Sequence, residues 1–381
     1  MSRIVLEGAA VVTPDAILPE GRVAVADGCI VDGREGDAID LGGGYLLPGF
    51  IDTQVNGGGG VLFNDAPSVE GIAALAEAHR RYGTTGIMPT IISDDLSVIA
   101  SAIAATDEAI AEGVPGVLGL HIEGPFINVE RRGIHDARFM RELDDEAFAV
   151  LTSDGRGARI VTLAPETVQP GTIRRLHKAG LIVAAGHSTA DYDETRAALA
   201  EGLDGFTHLF NAMTQFSSRA PGMVGAALED RNSRFGLIVD GHHVHPAALR
   251  VAIAARGIDG AMLVTDAMPP AGTDMRAFSL QGRQISVESG TLRGEDGTLA
   301  GSALTMDLAL RNAMDLLGLD LIASSRLASG NPAAFLRMTQ KRGAIAPGRA
   351  ADLVHLDDDF CVRRVWIGGK EFPVGQADGE R

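Results

Sequence analysis

The chain has 381 residues, of which 45% are hydrophobic and 22% are charged, so it can bury a large core. Its 33 Lys and Arg residues against 50 Asp and Glu residues give a formal net charge of -17, which disfavours binding to nucleic acid and to anionic membranes. Aromatic residues make up only 4% of the chain, which argues against a stacking platform for bases or polysaccharides.

Strand-like segments with turn residues between them occur near both ends of the chain, at residues 3–12, 22–31, 351–356 and 361–367. The two ends share this character, and the sequence between them does not. We therefore predict one small β domain, discontinuous in sequence, formed by residues 1–45 and 345–381.

The region between the ends, residues 46–344, alternates short apolar runs with longer Ala- and Leu-rich stretches that are typical of helices. The apolar runs are residues 46–51, 84–89, 116–122, 159–163, 181–185, 205–207, 235–239 and 261–265. Continuous apolar runs are expected of buried parallel strands, and eight β–α units predict a (β/α)8 barrel as the catalytic domain. A doubly wound open sheet is the alternative. Residues 277–300, rich in Gly and polar residues, are expected to form a hairpin insertion after the eighth strand.

Polar residues with catalytic chemistry directly follow five of these apolar runs: Glu123, His187, His208, His243 and Asp266. In a parallel barrel these positions lie at the carboxyl-end rim, where active sites are found. Glu123, His187 and His208 form a plausible set of three metal ligands. Two imidazoles and a carboxylate suit Zn²⁺ or Fe²⁺ and leave a position open for water. The alternative for each His taken alone is a hydrogen-bonded structural group.

Two further residues have the chemistry that hydrolysis at such a site requires. Asp266 could accept a proton from the attacking water and deliver it to the leaving amine. Its alternative role is a turn or helix-capping residue before Pro269. His135, in the loop after Glu123, could stabilise a developing oxyanion, or it could be an ordinary surface histidine.

Loop residues near the same rim are candidates for binding an anionic substrate. His242, His243 and His245 crowd one loop, and the sequence does not choose among them. Arg219 lies in the loop after His208 and could clamp a phosphate through its guanidinium, or it could be a solvated loop residue.

Ten ordered segments, spread along nearly the whole chain, resemble the amidohydrolase superfamily and, within it, the family of N-acetylglucosamine-6-phosphate deacetylases. They are LPGFIDTQVNG (47–57), HIEGPFIN (121–128), GIHD (133–136), AGHSTA (185–190), THLFNAM (207–213), APGMVGAA (220–227), DGHHVHP (240–246), LVTDAM (263–268), LAGSALTMD (299–307) and GAIAPGRAADLV (343–354). HIEGPF and THLFNAM are long and are specific to the deacetylase branch.

The resemblance implies a β-sandwich attached to a metal-bearing (β/α)8 barrel. It implies that Glu123, His187 and His208 hold the metal, that Asp266 is the general acid and base, and that His135 assists the carbonyl. The expected reaction is metal-dependent hydrolysis of N-acetyl-D-glucosamine 6-phosphate to D-glucosamine 6-phosphate and acetate, in amino-sugar catabolism.

The resemblance also implies how the sugar phosphate is held. The matching positions are Asn211, the backbone of Ala212, Arg219 and His243, and His135 also contacts the substrate. In similar enzymes the phosphate-binding arginine comes from the neighbouring subunit, which implies a homodimer whose active sites are completed by Arg219.

Two departures from the family pattern are visible. Many superfamily members carry His-x-His at the end of the first strand as ligands for a second metal, whereas this chain has Gln54-Val55-Asn56. Amides are poor substitutes for imidazole, so we expect a single divalent metal per subunit. The residue after Arg219 is Ala220, where an acidic residue is expected.

Other functions stay open at this stage. An N-acyl amino acid deacylase or a cyclic amidase would need a similar metal site, although the phosphate-binding set argues against it. A non-catalytic scaffold would be expected to have lost the ligands or the acidic base, which are present here.

The two cysteines, Cys29 and Cys361, are not spaced as a metal knuckle or a redox pair, which favours free thiols in a reducing compartment. The first residues lack the pattern of a secretion signal, and no apolar stretch is long enough to span a bilayer. The sequence therefore predicts a cytoplasmic protein that binds neither membrane nor nucleic acid.

Overall fold

Eight parallel strands, each bonded to the next in chain order, form the central sheet of the computed structural model, which describes residues 3–288 and 290–374. They are Phe50–Val55, Thr84–Ile92, Gly119–Glu123, Ala158–Leu163, Ile182–Ala185, Gly205–Phe206, Arg234–Leu237 and Ala261–Leu263. Just beyond the eighth strand, Ala267 bridges Val55 of the first in parallel, and its carbonyl accepts the Asn56 amide at 2.9 Å. The sheet therefore closes into the predicted (β/α)8 barrel and is not an open sheet.

Helices follow most of the strands and cover the outside of the barrel. The α-helices are Val69–Arg80, Leu96–Ala111, Asp145–Leu151, Thr172–Lys178, Tyr192–Glu201, Gly222–Glu229, Pro246–Arg256, Met306–Leu317, Leu321–Ser325 and Asn331–Phe335. A π-helical turn spans Arg326–Gly330, and 3-10 turns span Phe63–Asp65, Val129–Arg131, Ala137–Phe139, Pro165–Thr167 and Ile258–Gly260. Local sequence sets several helix starts. Asp191 and Glu194, for example, form a reciprocal capping box at the helix Tyr192–Glu201.

Two sheets form the β-sandwich: the first comes from the amino-terminal segment alone, and the second combines strands from both ends of the chain. One has the order Cys29–Val31, Val23–Ala26, Ile4–Glu7 and Asp37–Asp40; the other has the order Lys370–Phe372, Val362–Ile367, Leu353–Leu356, Tyr45–Pro48, Ala10–Val12 and Ile17–Leu18. Their inner faces share a separate hydrophobic core that includes Leu6, Val25, Leu46, Leu353 and Trp366. The terminal segments therefore meet in space, as the sequence predicts.

The first apolar run of the sequence, residues 46–51, spans two strands of different sheets. Tyr45–Pro48 pairs with Leu353–Leu356 in the sandwich, and Phe50–Val55 begins the barrel. Gly49 lies at the crossing, where an added Cβ would lie 2.1 Å from Thr85 Oγ1. Residues 46–48 are thus hydrogen-bonded within the sandwich. The proposed division assigns residues 1–45 and 345–381 to the sandwich and residues 46–344 to the barrel, so these three residues lie on the sandwich side of it.

The insertion after the eighth strand is larger than the expected hairpin. Four antiparallel strands, Ala277–Leu280, Arg283–Glu288, Thr291–Gly294 and Leu299–Ser302, form a sheet in chain order. Phe278, Leu280, Ile285 and Leu292 bury their side chains against the barrel residue Ile92. This sheet therefore packs beside the carboxyl-end rim of the barrel.

The interior of the barrel is filled by side chains. Ile51, Met88 and Ile160 pack with Phe335, whose helix Asn331–Phe335 contacts the first and eighth strands. Within the described part of the chain, none of the helices combines the length and the apolar composition that crossing a membrane would take.

Candidate active site

A cavity of about 350 Å³ opens at the carboxyl-end rim of the barrel. It brings together residues from the ends of the third, fifth, sixth, seventh and eighth strands and from the inserted sheet. Eight of the nine site residues predicted from the sequence line it, namely Glu123, His135, His187, His208, Asn211, Ala212, His243 and Asp266. The side chains that follow the strand ends therefore lie around one cavity, and their catalytic and binding roles stay predictions.

Three buried ligand-type atoms converge on one side of this cavity. Glu123 Oε1 lies 3.2 Å from His187 Nε2 and 3.0 Å from His208 Nε2, and the two histidine nitrogens are 3.0 Å apart. All three side chains are nearly inaccessible to solvent.

The hydrogen bonds around His187 fix which of its nitrogens faces the group. His187 Nδ1 lies 2.9 Å from the carbonyl oxygen of Arg131, so it must be the protonated, donating nitrogen. Nε2 of the neutral ring then presents a lone pair towards Glu123 Oε1, which is itself an acceptor. Two lone pairs held this close repel each other unless a cation lies between them. A carboxylate with two imidazoles is a set of ligands that suits a divalent transition metal. The residues present therefore fit a metal.

The buried carboxylate of Glu123 dominates the electrostatics of the group in the metal-free chain. Burial by itself would raise the pKa of Glu123, but the neighbouring imidazoles of His187 and His208 outweigh it and hold that pKa well below its usual value. Burial would lower the pKa of His208, and the Glu123 carboxylate raises it instead. Glu123 is thus an anion in the folded protein.

A second grouping competes with this one on distance alone, because the ligand-type atoms of Glu123, His135 and His187 all lie within 4.8 Å of one another. We favour His208 over His135 as the third member. His208 Nε2 lies 3.0 Å from both Glu123 Oε1 and His187 Nε2, whereas the atoms of the competing group are brought together only within 4.8 Å.

Ser93, at the end of the second barrel strand, holds His135. The Ser93 backbone N–H donates to His135 Nδ1 at 3.3 Å, and its hydroxyl lies 2.7 Å from the same nitrogen. An accepting Nδ1 places the proton of the neutral ring on Nε2, the nitrogen left free for a ligand. Burial, followed by the charge of His187, lowers the pKa of His135 to about 3, so the ring is neutral. His135 is thus arranged as a neutral hydrogen-bond donor.

We expect His135→Gln to lower kcat by about 10²- to 10³-fold with a smaller effect on KM, because an oxyanion donor acts mainly in the transition state. Steady-state kinetics of the hydrolysis expected from the sequence checks this. His242→Gln, at an exposed histidine of the neighbouring loop, is the control and should behave as wild type. Equal rates for the two variants would remove His135 from the reaction.

Asp266, at the end of the eighth strand, lines the same cavity as Glu123, His187 and His208. Two side-chain amides at the end of the first strand hold its carboxylate. Its Oδ1 accepts from Gln54 Nε2 at 3.0 Å and from Asn56 Nδ2 at 2.6 Å. No hydrogen bond from the described residues reaches Oδ2, so that oxygen is available to a ligand in the cavity. Burial, followed by the charge of Glu123, raises the pKa of Asp266 to about 6.

Gln54 joins the two carboxylates of the site. Its Nε2 donates to both oxygens of Glu123, at 3.1 and 3.2 Å, as well as to Asp266. Below it, Asp52 accepts from the Thr265 hydroxyl at 2.5 Å and from the Gln54 backbone N–H at 3.2 Å. These bonds lock the end of the first strand to the end of the eighth.

Backbone strain concentrates around this cavity. Among the non-glycine residues with positive φ are His187, His208, Ala212 and Asp266, with φ of 51°, 34°, 51° and 51°. Left-handed backbone is unfavourable for residues with a Cβ and tends to persist where function requires it. Here it turns the side chains that follow the strands into the cavity.

The structure separates the three histidines of the loop after the seventh strand. His243 lines the cavity, and its Nδ1 lies 2.6 Å from Asp240 Oδ2, which leaves Nε2 for a ligand. His245 caps the helix Pro246–Arg256 by accepting from Ala247 N at 3.1 Å, and His242 is exposed. Of the three, His243 is the one placed to contact a substrate.

Arg219 is the predicted site residue that the chain does not bring to the cavity. It is exposed in the loop between Phe206 and the helix Gly222–Glu229, beside Phe216, which is 62% exposed. Its proposed role depends on a second subunit and stays a prediction.

Several residues of the site were missed as participants by sequence reasoning. Gln54 and Asn56 were noted only as absent metal ligands, and Ser93 and Asp240 were not noted. The available signal was position, because each of the four follows or ends a barrel strand.

Comparison with known proteins identifies the family. A model described as the amidohydrolase family matches residues 45–372. The chain is 41% identical to an N-acetylgalactosamine-6-phosphate deacetylase of Shewanella sp. (strain ANA-3), over 96% of this chain and 95% of that one. It is 36% identical to an N-acetylglucosamine-6-phosphate deacetylase of Bos taurus, over 96% and 93%. The crystal structure of N-acetylglucosamine-6-phosphate deacetylase from Pasteurella multocida superposes with a TM-score of 0.94 at 32% identity, covering 97% of this chain and 99% of that one. The chain belongs to the amidohydrolase family.

Proposed function

We propose that the chain hydrolyses the acetamide of N-acetyl-D-glucosamine 6-phosphate, giving D-glucosamine 6-phosphate and acetate, in amino-sugar catabolism. The observation that carries this proposal is one cavity that holds the Glu123, His187 and His208 lone pairs, the free Oδ2 of Asp266 and the donor His135. The deacetylase names of relatives 36% to 41% identical over nearly the whole chain support it. The same names disfavour an acyl amino acid deacylase or a cyclic amidase.

One divalent metal per subunit, Zn²⁺ or Fe²⁺, is proposed to be held by Glu123, His187 and His208. When bound, such an ion polarises a carbonyl and lowers the pKa of a water towards neutrality. A second metal is disfavoured because Gln54 Nε2, a donor with no lone pair to offer, faces both oxygens of Glu123.

The remaining chemistry is assigned to the chain's own side chains. Asp266 takes a proton from the attacking water at Oδ2, while Gln54 and Asn56 hold Oδ1. His135 donates from Nε2 to the oxygen of the former carbonyl as negative charge develops there. Asp266 then delivers its proton to the nitrogen as the C–N bond breaks, which releases the amine and leaves acetate.

The phosphate is proposed to lie near His243, Asn211 and the backbone of Ala212, with Arg219 reaching in from the partner subunit of a homodimer. The exposure of Arg219 in the single chain suits a contribution across an interface. The phosphate would act as a remote handle that aligns the amide with the catalytic groups.

Arg219→Gln should raise KM for the phosphorylated sugar by about 10-fold or more, since it removes a charge-assisted contact to phosphate. Activity on unphosphorylated N-acetylglucosamine should not change. Arg231→Gln, at an exposed arginine outside the loop, is the control. An equal loss on both sugars would contradict the clamp.

A second candidate substrate is N-acetyl-D-galactosamine 6-phosphate, because the relative with 41% identity carries that name. The two sugars differ only in the orientation of one hydroxyl, so both can present the same amide and phosphate. Measuring kcat/KM for acetate release from the two phosphorylated sugars and their unphosphorylated parents tests the proposal. A preference for the glucosamine derivative supports it, a preference for the galactosamine derivative would reassign the epimer, and hydrolysis of neither phosphate would refute both.

A cytoplasmic location is part of the proposal. It rests on the two cysteines, which are both free, and on the pathway of a phosphorylated sugar.

A further inference from the structure

A second cavity, of about 260 Å³, lies at the opposite end of the barrel from the catalytic rim. Arg234, in its wall, is the first residue of the seventh strand, whose other end leads to His243. Thr13 and Pro14, from the sandwich, form another part of the wall. The cavity therefore lies between the amino end of the barrel and the terminal sheets.

Four arginines surround this cavity, namely Arg234, Arg326, Arg342 and Arg349. They come from separate parts of the fold. Arg326 begins the π-helical turn Arg326–Gly330, a rare element that occurs disproportionately at functional sites. Arg342 and Arg349 lie on the segment between the helix Asn331–Phe335 and the strand Leu353–Leu356. The chain as a whole carries a net charge of -17, so composition alone does not explain this concentration of positive charge.

Only two of the four charges are balanced by acidic side chains. Arg326 pairs with Asp259, and Arg342 pairs with Asp352 at 2.8 Å. Among the described residues, Arg234 and Arg349 have no ion pair. The cavity wall, which also includes Asp259, is therefore left with two arginines that have no ion pair of their own.

Arg234 is half-buried, and its guanidinium is partly withdrawn from water. Its Nε is inaccessible to water and has no hydrogen-bond partner among the described residues, and the same is true of Arg342 Nε. Burial lowers the pKa of Arg234, with Asp259 as the acidic group that acts against it. A partly desolvated charge without an ion pair destabilises the fold, unless a bound ion of opposite charge pairs with it.

We propose that this cavity is an anion site that binds a small phosphate-type dianion between Arg234 and Arg349. Guanidinium groups match the oxygens of a phosphate in pairs, and the hydroxyls of Ser325 and Thr339 add donors to the wall. The volume is below that of most drug-sized pockets, which suits inorganic phosphate or a small phosphate ester. The site is separate from the catalytic cavity and does not depend on the proposed reaction.

Thermal unfolding in the presence of inorganic phosphate tests this site. Wild type should gain on the order of 2 °C in Tm at a phosphate concentration well above Kd, with chloride as the matched ionic-strength control. Arg234→Met and Arg349→Met should each lose most of this gain. Arg231→Met removes an exposed arginine three residues before Arg234 and should keep it. In phosphate-free buffer Arg234→Met should be at least as stable as wild type, because it removes a half-buried charge that has no ion pair among the described residues.

If phosphate raises the Tm of all four proteins equally, the anion binds elsewhere. If phosphate does not raise the Tm of wild type, the cavity binds no phosphate. Either result overturns the site. A crystal structure of wild type grown with phosphate tests the same point without a variant. Tetrahedral density between Arg234 and Arg349 supports the site, and density only in the catalytic cavity refutes it. Repeating the titration with glucosamine 6-phosphate on wild type and Arg234→Met, so that binding in the catalytic cavity contributes equally to both, distinguishes a phosphate ester from free phosphate as the preferred ligand of this site.

Discussion

Asp266→Asn is expected to lower kcat by about 10²- to 10⁴-fold while leaving the fold and the bound metal intact. Asparagine keeps the size of the side chain, but it cannot take a proton from water or return one to the amine. Gln54 Nε2 and Asn56 Nδ2 donate to Oδ1, and the corresponding amide oxygen can still accept from both. Acetate release and metal content, measured on the same preparation, check both parts of this expectation.

The pH dependence gives a second readout of the same residue. Burial, followed by the charge of Glu123, raises the pKa of Asp266 to about 6 in the metal-free protein, and a bound cation would lower it. Because the base must be deprotonated, the wild-type rate should rise as pH increases through that pKa, at or below about 6. This rise of the rate with pH should be absent from the residual activity of Asp266→Asn. A variant with near-normal kcat, or one whose rate still rises over the same pH range, would assign proton transfer to another group.

Glu123→Gln is expected to release the metal and to reduce turnover to the background rate. Glu123 Oε1 contacts both His187 Nε2 and His208 Nε2, so replacing it with an amide removes the negative charge at the centre of the group. We expect metal affinity to fall by more than the roughly 10- to 100-fold that is typical of losing a hydrogen-bond partner of a ligand. Elemental analysis after dialysis measures this loss directly.

The matched control is Glu130→Gln, because Glu130 lines the same cavity but is exposed and lies outside the convergent group. It should retain metal and most activity. Retention of a full metal equivalent by Glu123→Gln would exclude Glu123 as a ligand and favour a different set.

The barrel could be predicted from the sequence because its strands are buried on both faces. Thr84–Ile92, for example, is buried at every position, and such strands appear as continuous apolar runs. The first run was harder to interpret, because residues 46–51 are apolar throughout yet belong to two sheets. An apolar run indicates that a strand is buried, but it does not indicate to which sheet the strand belongs. The change of sheet at Gly49 depends on its close approach to Thr85, a contact between residues far apart in the chain.

The location of the site could also be predicted, because the carboxyl ends of parallel strands share one rim. Its hydrogen bonds could not. Gln54 was interpreted as a missing metal ligand, whereas its amide spans 212 residues of sequence to hold Asp266. Likewise, nothing in the spacing of His242, His243 and His245 identifies the one that Asp240 turns into the cavity. These contacts depend on which strand ends become neighbours when the barrel closes.

The most direct test of the account is metal titration of the chelated protein with acetate release as the signal. Metal is removed, then Zn²⁺ or Fe²⁺ is added in fractions of an equivalent, with N-acetylglucosamine 6-phosphate as substrate. The account predicts no activity without metal, a linear rise, and a break at one metal per chain. Full activity after chelation, or a break at two metals per chain, would contradict a single metal held by Glu123, His187 and His208.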